Sequence, residues 1–202
     1  MPLYYEHINN FAKIAIWHIA EAKNFFLQKV TEQREIRHPH KQLQHLAGRY
    51  LLQYLYPDFP YHLIEIADTK KPFLSNEEYH FSISHCDDYA AVIVSKDHRV
   101  GIDIERVTPK VERIKHKFLK AEEMRLVNGE MQLSTLLWCC KEAVFKLYGN
   151  GGVDFKEHIH LLSNDLKNKS LKCNFLKEKK IELEIQYKYF DDLCLAWVIS
   201  DT

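Results

Sequence analysis

The chain is 202 residues long, enough for one large domain or two small packed halves, and its 28 Lys+Arg against 28 Asp+Glu leave no formal net charge. That balance excludes a global attraction to nucleic acid or to an acidic membrane surface, so an anionic ligand has to be held by a local basic cluster. Five cysteines (Cys86, Cys139, Cys140, Cys173, Cys194) without a CxxC spacing argue against a disulfide framework or a zinc ribbon and for reduced, buried thiols.

Neither a basic region followed by an apolar run at Met1–Glu6 nor a stretch of about 18 apolar residues is found. The expectation is a soluble cytoplasmic protein with no membrane or nucleic-acid partner. Ile14, Ile16 and Ile19 fit either a strand leading into a helix near 21–30 or one longer helix. From 39 to 56, Leu43, Leu46, Ala47, Tyr50, Leu51 and Tyr54 recur at helical spacing, and Pro57 and Pro60 end the run. Residues 80–84 and 89–95 are β-prone, separated by His85-Cys86-Asp87-Asp88, and 100–105 alternates apolar and polar residues. Helical spacing resumes through 112–130 and 133–148 until Asn150-Gly151-Gly152 stops it. The final segment holds strand candidates at 159–163, 171–176, 181–189 and 193–199. Helices followed by strands, twice over, read as an α+β protein of two similar α/β halves, 1–105 and 106–202.

The string Gly101-Ile102-Asp103-Ile104-Glu105 is the first with chemical content. In a strand Asp103 and Glu105 share one face, their Cα atoms about 6.5–7 Å apart. Two like charges that close repel unless a cation lies between them, and a hard divalent ion suits oxygen ligands. Taken alone, such a pair is more often the solvated face of a half-buried strand.

In the segment 133–148, Leu133, Leu136, Leu137, Cys140, Val144 and Leu147 form an apolar stripe, with Trp138, Glu142 and Lys146 in line on the opposite side. An exposed Glu–Lys pair at i, i+4 stabilises a helix by about 0.2–0.5 kcal/mol. A solvent-facing Trp wastes a large apolar surface, which points to a second covered face. Asp103, Glu105 and Glu142 together could offer three carboxylates to one Mg²⁺, an ion that usually binds substrate phosphates as well, with Lys146 one helical turn from Glu142 and near those phosphates.

Phe81-Ser82-Ile83-Ser84-His85, then Gly101-Ile102-Asp103-Ile104-Glu105, then Trp138-x-x-Lys141-Glu142-Ala143-x-x-Lys146 appear in order. Together they resemble the signature of the Sfp-type 4′-phosphopantetheinyl transferase family. Lys71-Pro72-Phe73 and Phe118-Leu119-x-x-Glu122-Glu123 resemble further blocks of it, the match running from about Leu46 to Gly149. The resemblance implies two halves with pseudo-two-fold symmetry, an active site between them, and a monomer. The implied reaction transfers the phosphopantetheine arm of coenzyme A to a serine of an apo acyl or peptidyl carrier protein, releasing 3′,5′-adenosine bisphosphate. Asp103, Glu105 and Glu142 would then hold Mg²⁺. Lys146 would contact the pyrophosphate, with Lys141 as a helper, and Glu142 would act as general base, directly or through a metal-bound water.

By the same resemblance Ser84 and His85 would hold the coenzyme's phosphates, Lys71 would lie along the adenosine phosphates, and Pro72 would shape the adenine site. Arg49 would add a phosphate contact, with Arg37 and Lys41 as weaker candidates, while Gln44 and His45 stand where more basic residues are expected. Cys86 stands where the family often has serine. Two other classes remain: a non-catalytic coenzyme A or nucleotide-binding module, and a Mg²⁺-dependent phosphohydrolase. His38 with His40 and His158 with His160 lack further ligands at a usual zinc spacing and read as surface histidines.

Overall fold

The computed structural model describes residues 2–31, 36–127, 129–165 and 167–200. Helices and strands are mixed along the chain, as an α+β protein requires. Two compact units divide between Val100 and Gly101. The division falls there rather than after Glu105 because the strand carrying Asp103 and Glu105 hydrogen-bonds into the sheet of the second unit.

In the first unit β1 (Leu3–Ile8) and β2 (Lys13–His18) pair antiparallel. The segment around Ile14 and Ile16 is thus a strand, with Ile14, Ala15, Ile16 and Trp17 all buried. A continuous apolar run fits a strand covered on both faces, and periodicity alone does not separate it from a buried helix. After α1 (Lys23–Leu27), α2 (Pro39–Leu55) begins with proline at its first turn, where a missing N–H costs nothing. Its Leu46, Ala47, Leu51, Leu52 and Leu55 share a core with Trp17, Phe26, Phe59, Tyr79 and Phe81.

A single 3-10 turn (Tyr61–Leu63) precedes the short ladder of β3 (Glu65–Ile66) and β4 (Pro72–Phe73). Two residue pairs carry no readable period, so this ladder is invisible in the sequence. β5 (His80–Cys86) and β6 (Tyr89–Ser95) form a hairpin whose turn is only Asp87-Asp88. His85 and Cys86 are therefore strand residues and not turn residues, Asp87 turning the chain with φ of 43°. The sheet order is β1-β2-β6-β5.

The second unit is built around one helix. β7 (Arg99–Arg106) is followed by α3 (Pro109–Phe118), α4 (Ala121–Val127), α5 (Met131–Tyr148) and α6 (Phe155–His158). β8 (Ile159–Asp165), β9 (Ser170–Phe175), β10 (Ile181–Tyr189) and β11 (Leu193–Ser200) complete a sheet of order β7-β11-β10-β9-β8. The single helix expected over 112–130 is two. Leu119 leaves the helical region (φ −99°, ψ 140°), and the Lys120 N–H is captured by the Glu123 carboxylate at 2.8 Å. The left-handed Gly149 (φ 77°) ends α5 one residue before the expected stop.

All five cysteines are reduced and buried. Burial pushes the Cys139 and Cys140 thiols well above their ordinary range and those of Cys173 and Cys194 up to about 12. Thiolate is the reactive form. Native protein should therefore react slowly with Ellman's reagent, whereas denatured protein should titrate all five thiols. A fast native thiol would show that one of these sites opens readily.

Candidate active site

Gly101, Asp103 and Glu105 alternate onto one face of β7. The first of them sets the geometry. A Cβ at Gly101 would collide with the Ala143 carbonyl oxygen and lie 2.8 Å from the Leu147 amide nitrogen. Strand and helix backbones therefore meet here with no side chain between them, as only glycine permits. Two and four residues along the same face, Asp103 and Glu105 come up beside Glu142 and Lys146 of α5.

The contact that fixes the cluster is an ion pair. Lys146 Nζ donates to Asp103 Oδ1 at 2.6 Å, with the Asp103 side chain 6% exposed. The solvated-face reading of Asp103 and Glu105 is thereby excluded: Asp103 is buried, Glu105 is half-buried, and the interleaved Ile102 and Ile104 are fully buried. Desolvation, reinforced by the charges of Asp103 and Glu105 and opposed by Lys146, pushes the Glu142 carboxyl up to about 7. Glu105 is also raised, first by burial and then by Asp103, while Lys110, a Trp138 hydrogen bond and Lys146 pull it back. The three carboxylates thus feel one another across a poorly solvated space.

Trp138 answers the objection to an exposed indole. It is half-buried, its ring edge-on to Phe118 at 4.9 Å and tilted against Phe155 at 5.6 Å. The face of α5 opposite the apolar stripe is covered. Among the described residues, no group of three or more His, Cys, Asp or Glu side chains is drawn together as a ready-made metal cage.

Lys141 requires a correction. It is fully buried, and its ammonium donates to Glu123 Oε2 at 2.7 Å, to the Phe155 carbonyl at 2.9 Å and to the Ile159 carbonyl at 2.8 Å. An ammonium has three protons, so none is left for a coenzyme phosphate. Glu123 in turn also accepts the Lys120 and Leu161 N–H groups. This network ties α4, α5, α6 and β8 together. Its role is structural, and only the pairing with Glu123, eighteen residues away, reveals it.

Arg49, Lys71, Pro72, Ser84 and His85 all belong to the first unit. Arg49 is 4% exposed on α2, its Nε has no hydrogen-bond partner, and burial lowers its guanidinium to about 10. Pro72 opens β4 opposite Ile66. Lys71, just before it, is lowered to about 8 by burial and then by the Arg99 charge. Ser84 is buried in β5 and His85 beside it is exposed. Gln44, in a place where a basic residue was expected, donates from Nε2 to the Asp87 carbonyl at 2.8 Å and so pins α2 to the β5–β6 turn. Lys110 at the start of α3 was missed: nothing in its local sequence signals that its charge reaches Glu105.

Residues 99–198 match the model of the 4′-phosphopantetheinyl transferase superfamily. The chain is also similar to 4′-phosphopantetheinyl transferase gsp of Aneurinibacillus migulanus, at 32% identity over 111 residues. That alignment covers 52% of this chain and 46% of the relative, so the match spans about half of each.

Proposed function

We propose, from the match of residues 99–198 to the 4′-phosphopantetheinyl transferase superfamily, that the chain transfers 4′-phosphopantetheine from coenzyme A to a serine hydroxyl of an apo carrier protein. The observation that carries the reading is the cluster of Asp103, Glu105 and Glu142 around Lys146. A pure binding module has no need of three mutually repelling acids beside one lysine.

Mg²⁺ fits this donor set. Three carboxylates offer hard oxygen ligands, and the burial and repulsion that raise Glu105 and Glu142 are what a divalent cation relieves. When bound, Mg²⁺ supplies charge neutralisation to the coenzyme's pyrophosphate. The remaining work belongs to the side chains. Lys146 would place its positive charge against the phosphoryl group being transferred, where negative charge builds in the transition state. Glu142, whose carboxyl is raised to about 7 by burial and then by the charge of Asp103, would take the proton of the attacking serine. The phosphoester bond to the carrier forms as the bond to 3′,5′-adenosine bisphosphate breaks, with no covalent enzyme intermediate. In the first unit Arg49, Ser84, His85 and Lys71 would hold the nucleotide's phosphates and Pro72 would flank its adenine, while Lys141 has no part in the coenzyme site.

The test is intact-mass measurement of apo acyl and peptidyl carrier proteins incubated with the protein, coenzyme A and Mg²⁺. The expected result is a mass gain of one phosphopantetheine that chelation abolishes. Measurable coenzyme A binding with no gain on any carrier would favour the binding module. Cleavage of coenzyme A without a carrier would favour a phosphohydrolase.

A further inference from the structure

We propose that Gln44 is a positioning residue for the coenzyme: by holding the β5–β6 turn against α2, it sets where His85 stands. The inference rests on the coenzyme reading of His85 given above. His40, Gln44 and Gly48 follow one another at i, i+4 and i+8, so they share one line along α2. Each meets the β5–β6 hairpin. A Cβ at Gly48 would lie 2.9 Å from Ile83 Cγ2, which marks how closely helix and strand approach there. Gln44 Nε2 donates to the Asp87 carbonyl at 2.8 Å, and His40 Nε2 donates to Asp88 Oδ1 at 3.0 Å. His85 lies between these anchors, two residues after Ile83 and two before Asp87. Side chains alternate along a strand, so His85 shares the face of β5 on which Ile83 packs against the core that α2 lines.

The turn needs such a hold. It consists of Asp87 and Asp88 alone, and Asp87 stands in the left-handed region at φ 43°, a conformation that disfavours a residue with a Cβ. The Ile19 N–H, just after β2, donates to the Asp88 carbonyl at 2.7 Å and secures one end. The two bonds from α2 secure the rest, and of these the Gln44 bond is the firmer. The His40 and Asp88 side chains are 41% and 59% exposed, so water and salt screen their pairing. Gln44 is buried, where losing its N–H would leave the Asp87 carbonyl without that donor. A neutral amide also fixes the turn without adding a charge, which leaves the imidazole of His85 to meet the anion.

Gln44→Met isolates the bond, because methionine is equally long and unbranched, suits a helix, and has no N–H to give. The measurement is calorimetric titration of coenzyme A, with Mg²⁺, into wild type, Gln44→Met, His85→Ala and the double variant, with thermal melting alongside. The expected result is a Kd raised about 10-fold in Gln44→Met, the equivalent of one buried hydrogen bond. Adding the change to His85→Ala should raise Kd no further, since the bond acts through His85. In the carrier assay the KM for coenzyme A should rise in Gln44→Met with kcat unchanged. An equal rise in both backgrounds would show that Gln44 acts independently of His85 and would overturn the proposal. An unchanged Kd in Gln44→Met, with or without a lower melting temperature, would assign the bond to the fold alone and also overturn it. Weakened binding in His85→Ala would then leave the coenzyme reading standing. Unchanged binding in His85→Ala, or no coenzyme A binding by the wild type, would overturn the coenzyme reading of His85 and the inference with it.

Discussion

Replacing Glu142 by Ala, or Asp103 by Ala, is expected to lower carrier-protein modification by at least about 10²–10³-fold, the loss typical when one electrostatic element of a preorganised site is removed. Stability should move differently in the two variants. Glu142 is half-buried, and desolvation followed by the like charges beside it raises its carboxyl to about 7, so its removal relieves an unfavourable charge and the protein should melt no lower. Asp103→Ala leaves Lys146 without its 2.6 Å partner, but the lysine side chain is 25% exposed and can turn to water. A fold retained in both variants, shown by unchanged circular dichroism, is part of the expectation. Near-normal turnover in both would remove the β7–α5 cluster from the chemistry.

Lys141→Met should act on the fold instead. Breaking one side of a buried ion pair typically costs about 3–5 kcal/mol, because the remaining charge stays buried without compensation. Here the loss also strands the Phe155 and Ile159 carbonyls. Urea denaturation of Lys141→Met should show a lower midpoint than the wild type. Pairing Lys141→Met with Glu123→Leu should cost less than the sum of the two single changes, since neither partner is then left alone. If Lys141 instead served the coenzyme, Lys141→Met would keep the wild-type midpoint and raise KM, and the structural assignment would fail.

Much of this arrangement was legible before any coordinates. The spacing of Leu46, Ala47 and Leu51 bounded α2, and strict alternation marked β7, because helix and strand periods are properties of the local chain. The chemistry of three acids and one lysine also pointed to a common cation. Local signals failed where burial on both sides erased the period, as at Ile14 and Ile16. They failed again where a local cap interrupted an apparently continuous helix, as Glu123 does by capturing the Lys120 N–H. They were silent on the β3–β4 ladder, whose two residue pairs are too short to show any pattern.

The sequence by itself determined which residue types and spacings were on hand: the Asp103 and Glu105 pair on one strand face, Glu142 and Lys146 one turn apart, and Gly101 where the strand begins to read as functional. Only the tertiary structure decided how like residues divide their roles. Lys141 and Lys146 lie on the same helix and carry the same ammonium, and nothing in their neighbours' identities separates a lysine locked into the fold from one left partly open to solvent. Their surroundings do. The Lys141 side chain is 0% exposed with all three protons committed, whereas Lys146 is 25% exposed and joined to Asp103. A charge's role depends on its solvation and on partners far away in the chain, and those exist only once the chain has folded.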